Sequence, residues 1–383
     1  MSPFLSPLPP FRWDIFCRVI DNFGDIGVCW RLANILQQDY QQTVRLWVDE
    51  PQALAALEPN LNLNLSQQTL RQIEVCVWSD DFADTQVADV VIEAFGCELP
   101  SHYIQAMQAQ PPIWINLEYF SAEPWVQGFH AMPSKQSNGL DKTFFFPSIL
   151  PNTGGLMREA DLLQRRDTFS ANQANHQAWC KQWGLAEPLK NSFKISIFSY
   201  ENKAIEYIFK VWSQSSMAIE VYLPQGRLLT SAQDYFDRPL HAGDCLTQGN
   251  MTLHILPFLP QIEYDKLQWL CDLNFVRGEE SFVRAQWAAK PFIWHIYPTD
   301  DEAHWDKLHA FLTVYSQDID PNAKTALIEF MQGWNQQTLR AEQWSALMQA
   351  WPHLCQHAQD WVIYLESLGE LTSNLVKCVK SKV

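Results

Sequence analysis

Between Arg277 and Ser281 the sequence gathers a guanidinium, two carboxylates and a hydroxyl around Gly278. This set suits a phosphate. A helix leaves N–H groups unpaired in its first turn, and these, with the positive end of its dipole, favour an anion; Arg277 adds a permanently charged forked donor, and Gly278 lets backbone come close. Glu279 and Glu280 would repel phosphate, so they fit acceptance from sugar hydroxyls or a clamp on Arg277. An ordinary helix cap uses the same letters, with Ser281 as N-cap and acids in the first turn.

A second acidic constellation lies near the start of the chain. Asp21 and Asp25 flank the turn Asp21-Asn22-Phe23-Gly24-Asp25-Ile26-Gly27, which matches neither the phosphate-loop pattern nor GxGxxG. Two carboxylates beside exposed backbone can position a cation, act as base and orienter, or bind a metal. Metal is the weaker reading, because neither a histidine nor a third carboxylate is close in sequence. The plain alternative is an Asx-turn with Asp25 as N-cap. Phe198 and Tyr200 end one apolar run and Phe258 another, with Gln261 close behind. Rings at strand ends stack on a nucleobase and Gln261 can bond its edge, although single rings are more often core. His295 and His304 show no ligand spacing.

These residues need strands and helices to aim them. Leu273 to Val276 reads as a strand, Ser281 opens a helix with Phe282, Ala285 and Ala289 on one face, and Pro291 to Ile296 is the next strand. That is the βαβ grammar of a doubly wound sheet, in which ligands bind beyond the carboxyl ends of the strands. Trp13 to Ile20 followed by a helix from Val28 to Tyr40 has the same plan. Strands at Val44–Val48, Ile73–Trp78, Val87–Ala94 and Ile113–Leu117 complete a first sheet. Leu61–Gln72 reads as a solvated connection, and Phe120–Asn152 lacks clean periodicity and is expected to wrap the domain edge. Leu156–Gly184 is helical, and Leu185–Asn191 reads as the linker. A second sheet restarts at Phe193–Ser199. The expected division is an N-terminal Rossmann-like domain over 1–184, a second over 192–358, and a helical segment over 359–383 that runs back toward the first, with Gly369 as its kink.

Composition agrees. A chain of 383 residues exceeds the usual single-domain size, and 47% hydrophobic with 13% aromatic residues is enough for two cores. The formal charge of −16, without a basic run, argues against nucleic-acid backbones and anionic membranes. Nine cysteines without CxxC spacing fit buried thiols in a reducing compartment. No 18-residue apolar run and no basic leader occur, so a cytoplasmic location is expected.

The blocks VIDNFGDIGVCWRLA (Val19 to Ala33), IFSYEN (Ile197 to Asn202) and NFVRGEESFVRAQWAAKPFIWHIYP (Asn274 to Pro298) resemble the elongation factor P arginine rhamnosyltransferase family. The resemblance implies an α/β GT-B glycosyltransferase, two Rossmann-like domains facing a cleft, that moves rhamnose with inversion from TDP-β-L-rhamnose to an arginine of elongation factor P. On matching positions it implies Asp25 as catalytic carboxylate, Asp21 as its essential partner on the acceptor side and Glu279 as a catalytically needed glutamate. Phe198, Tyr200, Phe258 and Gln261 fall where the family holds thymine and ribose, and Arg277, Glu280 and Ser281 where it holds diphosphate and sugar. Family members more usually carry Asp at the position of Glu280. No metal or cofactor is expected, because Arg277 and the helix opening can stabilise departing TDP. Two other classes remain: a metal-dependent nucleotide phosphohydrolase using Asp21 and Asp25, and a non-catalytic nucleotide-sugar-binding protein.

Overall fold

The structure, a computed structural model, describes residues 10–20, 23–79, 86–189 and 191–383. The chain divides into two compact units, Met1–Ala160 with Leu365–Val383, and Asp161–Tyr364.

The first unit runs β1 (Arg12–Cys17), α1 (Gly24–Gln38), β2 (Thr43–Val48), α2 (Pro51–Leu57), β3 (Gln67–Leu70), β4 (Ile73–Val77), β5 (Val90–Ala94), α3 (Ser101–Ala109), β6 (Ile113–Leu117), α4 (Val126–Phe129), β7 (Pro133–Lys135) and β8 (Asp141–Phe145). The strands form one sheet in the order β3-β4-β2-β1-β5-β6-β8-β7, parallel except for the outermost strand on each side. Strands buried on both faces are rich in apolar residues with few polar interruptions, which is why β1 and β5 were legible. The two edge strands were not. Gln67–Leu70 lies inside the expected solvated connection, and Phe120–Asn152, rather than only wrapping the edge, adds β7 and β8 to the sheet. Edge strands that face water on one side carry polar letters, and QQTL and PSK give little apolar signal. Phe16 stacks on Trp47 at 5.6 Å and meets Tyr103 edge-on at 4.8 Å in the core. Arg45 grips buried Asp14 with two hydrogen bonds of 2.8 and 2.6 Å.

The second unit runs α5 (Leu162–Ser170), α6 (Gln173–Gln182), β9 (Phe193–Ile197), α7 (Ala204–Ser213), β10 (Ile219–Pro224), α8 (Leu228–Phe236), β11 (Cys245–Gln248), β12 (Met251–Leu256), α9 (Gln261–Leu270), β13 (Leu273–Arg277), α10 (Glu280–Trp287), β14 (Phe292–His295), α11 (Ala303–Tyr315), α12 (Pro321–Asn335), α13 (Ala341–Gln349) and α14 (Trp351–Leu368). Its sheet has the order β11-β12-β10-β9-β13-β14, with only β11 antiparallel. The unit begins at Asp161, not after residue 184 as expected. The reason is packing: Phe169 of α5 lies 5.9 Å from the Trp269 ring, and the Trp179 indole donates to Glu263 at 2.9 Å. These contacts tie α5 and α6 to α9.

The chain re-enters the first unit at Leu365, within α14. The expected single segment over 359–383 is broken at Gly369 (φ 76°), after which Glu370 caps a separate helix, α15 (Leu371–Lys380). Gly155 makes this return tight, since a Cβ there would lie 2.4 Å from the Gly369 carbonyl oxygen.

In the second unit Arg284 of α10 donates to both oxygens of Asp265 on α9 at 3.0 and 2.8 Å, with both side chains essentially inaccessible. Removing one partner strands a buried charge. Asp265→Ala is expected to lower unfolding stability by about 3–5 kcal/mol in urea titration, a cost typical of breaking a buried pair.

Candidate active site

In the first unit the chain leaves β1 and turns into α1, so Asp25 falls in the first helical turn, where negative charge is favoured. It is 2% exposed. Its Oδ2 accepts the Ile20 N–H at 2.7 Å and its Oδ1 accepts the Tyr119 hydroxyl at 3.0 Å. The N-cap position is Phe23, and no side chain caps the helix, so Asp25 is not the N-cap of the plain reading. Donors from two separate segments instead fix the plane of its carboxylate. Asp21 lies outside the described residues.

Tyr119 is itself held. Its ring stacks on Phe95 with centroids 4.4 Å apart and planes 16° apart. Phe95 follows β5 and Tyr119 follows β6, so both emerge from the same sheet edge as Asp25. Phe95, Gly96 and Glu98 all have φ between 55° and 64°, and left-handed backbone at non-glycine residues persists only where neighbours enforce it. The Phe95 N–H bond to the Leu117 carbonyl, 2.7 Å, is one such restraint. Phe95 and Tyr119 were not singled out from the sequence. Their positions just past two parallel strands were the available signal.

In the second unit Arg277 is the last residue of β13 and is buried. Its guanidinium carbon lies 4.5 Å from the Phe198 ring centroid and 4.9 Å from that of Tyr200, both just beyond β9. Two aromatic faces offer a desolvated guanidinium the negative part of their quadrupoles. The Ser281 hydroxyl accepts the Arg277 N–H at 3.0 Å and donates to the Arg277 carbonyl at 2.5 Å. The hydroxyl therefore closes the turn. Ser281 sits one residue inside α10, whose N-cap position is Glu279. Gly278 adopts φ 56°, which favours glycine, and its carbonyl accepts the Trp294 indole N–H at 2.8 Å. The Gln261 amide donates to Glu280 at 3.2 Å, joining the start of α9 to the start of α10. Phe258 is half-buried in the segment between β12 and α9.

The sequence reading passed over His295, which ends β14 and belongs to this cluster. Its Nδ1 lies 2.6 Å from the Ser199 hydroxyl, which accepts the Trp334 indole N–H at 3.3 Å, and its ring meets Tyr200 edge-on at 5.2 Å. Burial, then the Arg277 charge, then His304 push its pKa down to about 3. It is a neutral support for the Ser199–Tyr200 loop. Among the described residues, no three His, Cys, Asp or Glu side chains gather as a metal site.

A family profile described as "Elongation-Factor P (EF-P) rhamnosyltransferase EarP" matches residues 13–380. The chain belongs to the EarP family. Among similar members, the protein-arginine rhamnosyltransferase of Pseudomonas putida is 43% identical over 367 residues, covering 95% of this chain and 97% of its own. That of Neisseria meningitidis serogroup B is 37% identical over 372 residues, covering 93% and 94%. A solved EarP structure, described by the words "Structural basis for EarP-mediated arginine glycosylation of translation elongation factor EF-P", superposes with a TM-score of 0.70 at 32% identity, covering 97% of this chain and 100% of that one. Acinetobacter baumannii MurG, at 13% identity and a TM-score of 0.51, shares the fold alone. This EarP-family chain is a glycosyltransferase of the GT-B fold, as the expected fold class required.

The His295 environment sets a pH dependence. Its folded pKa lies below the ordinary 6.5, so the unfolded chain takes up the proton first as pH falls. The share of stability due to neutral His295 is therefore intact above pH 6.5 and lost as pH drops from about 6.5 toward about 3. Over that window His295→Gln should lose stability less steeply than the parent, by up to about 1.4 kcal/mol per pH unit, the cost of one proton. Urea midpoints across the window measure it.

Proposed function

We propose that the chain transfers rhamnose from TDP-β-L-rhamnose to an arginine side chain of translation elongation factor P, with inversion at the anomeric carbon. The observation that carries this reading is the buried Asp25 carboxylate, aimed by Ile20 and Tyr119, in a chain of this family. Its relatives named protein-arginine rhamnosyltransferase support the same acceptor chemistry.

An arginine guanidinium is protonated at neutral pH and a poor nucleophile. Asp25 accepts hydrogen bonds from it, points one nitrogen at the anomeric carbon, and takes that nitrogen's proton as the carbon–nitrogen bond forms and nitrogen becomes acidic. The anomeric carbon–oxygen bond breaks on the opposite face, and TDP leaves with the bonding electron pair. Asp21 assists on the acceptor side.

The second unit holds the donor. Phe198, Tyr200, Phe258 and Gln261 take the thymidine, while Arg277 and the first-turn N–H groups of α10 at Glu280 and Ser281 take the diphosphate and the charge it gathers on leaving. Glu279 is the catalytically needed glutamate of this turn. Glu280, one methylene longer than the usual family residue, is already turned toward the Gln261 amide. The reaction needs no cofactor, and the charge on the leaving group is met without a divalent metal. The partners are the acceptor protein and the donor nucleotide, without nucleic acid or membrane, in the cytoplasm. No helix among the described residues is long and apolar enough to cross a membrane.

Incubation with elongation factor P and TDP-β-L-rhamnose should add the mass of one deoxyhexose to an arginine, undiminished by EDTA; an unmodified acceptor contradicts the reading. Asp25→Asn should bind TDP like the parent and lose turnover by at least about 10²-fold, the scale of a lost general base. Tyr119→Phe should lower kcat by roughly 10-fold without altering donor affinity, as expected when a carboxylate loses one of its orienting hydrogen bonds.

A further inference from the structure

The loop after β10 carries a cation not yet assigned to the donor site. Arg227 is exposed, and its guanidinium carbon lies 5.9 Å from the Tyr200 ring centroid. Arg277 lies over the same ring at 4.9 Å. Two guanidiniums about one ring repel each other, and among the described residues no carboxylate pairs with Arg227. In a chain with formal charge −16, acids were abundant enough to supply one. The loop is also pressed against the other ring of the cluster, since a Cβ at Gly226 would lie 3.3 Å from Phe198 Cε2. Because β10 is parallel to β9, and β9 to β13, the loops bearing Arg227, Tyr200 and Arg277 leave one edge of the sheet.

We infer that Arg227 is a second anion-binding residue of the donor site, contacting the diphosphate of the sugar nucleotide. The inference rests on the donor-site reading above. An anion carrying more than one charge relieves the repulsion between the two guanidiniums, and a forked donor suits phosphate oxygens. Arg277, buried and over two rings, is fixed before binding. Arg227, at the surface, closes onto the phosphate nearer the solvent. It thereby favours a nucleoside diphosphate over a monophosphate.

Calorimetric titration of the full chain with TDP and with TMP tests this. Arg227→Gln should weaken TDP binding about 10-fold or more and TMP binding far less, raise KM for the sugar nucleotide with a smaller change in kcat, and flatten the salt dependence of TDP affinity. Arg227→Lys should recover part of the loss. The thermal midpoint should not move, because the residue is exposed. TDP affinity equal to the parent's, or equal losses for TDP and TMP, would overturn the assignment. A parent chain that fails to bind TDP at all would instead overturn the donor-site reading beneath it.

Discussion

The constraint on which each unit's cluster depends is the reversal of strand order beside the first strand of its sheet. In the first unit β1 lies between β2 and β5; in the second, β9 lies between β10 and β13. At such a point the loops beyond neighbouring strands part, leaving a crevice at the carboxyl edge. The first unit places Asp25, Phe95 and Tyr119 on that edge, and the second places Phe198, Tyr200, Arg227 and Arg277 there. One piece of topology, used twice, yields an acceptor of hydrogen bonds in one unit and a cationic aromatic cluster in the other.

Keeping charge at these edges is costly, and each unit offsets the cost locally. Asp25 is buried beneath two donors. Arg277 lies over two rings, and its backbone is locked by the Ser281 hydroxyl. His295 helps by staying neutral, so the cluster gains a hydrogen-bonding support without a further positive charge. Behind α10 the Asp265–Arg284 pair fixes the helix whose opening turn faces the edge. The pair's contribution is orientation, since buried ion pairs seldom add net stability.

Much of this was legible from the letters alone. Short runs rich in apolar residues, such as those of β1, β5 and β13, announce buried strands, and the polar turns after β1 and β13 mark their carboxyl edge. Asp25 and Arg277 were singled out as candidates in this way. What was not legible depended on partners distant in sequence. Tyr119 matters because it reaches a residue 94 positions away, and His295 because it meets Ser199 across 96. Arg227 matters for the ring it shares, which no local spacing encodes. The first boundary was misplaced because the helical pattern over Leu156–Gly184 shows an apolar face without saying which core it covers.

The most direct measurement is a crystal structure of the chain with TDP bound. The diphosphate should lie against Arg277 and the first-turn N–H groups of α10, with the thymine on Phe198 and Tyr200. Well-ordered TDP elsewhere on the chain, with the β13–α10 turn making no contact to phosphate, would contradict the account.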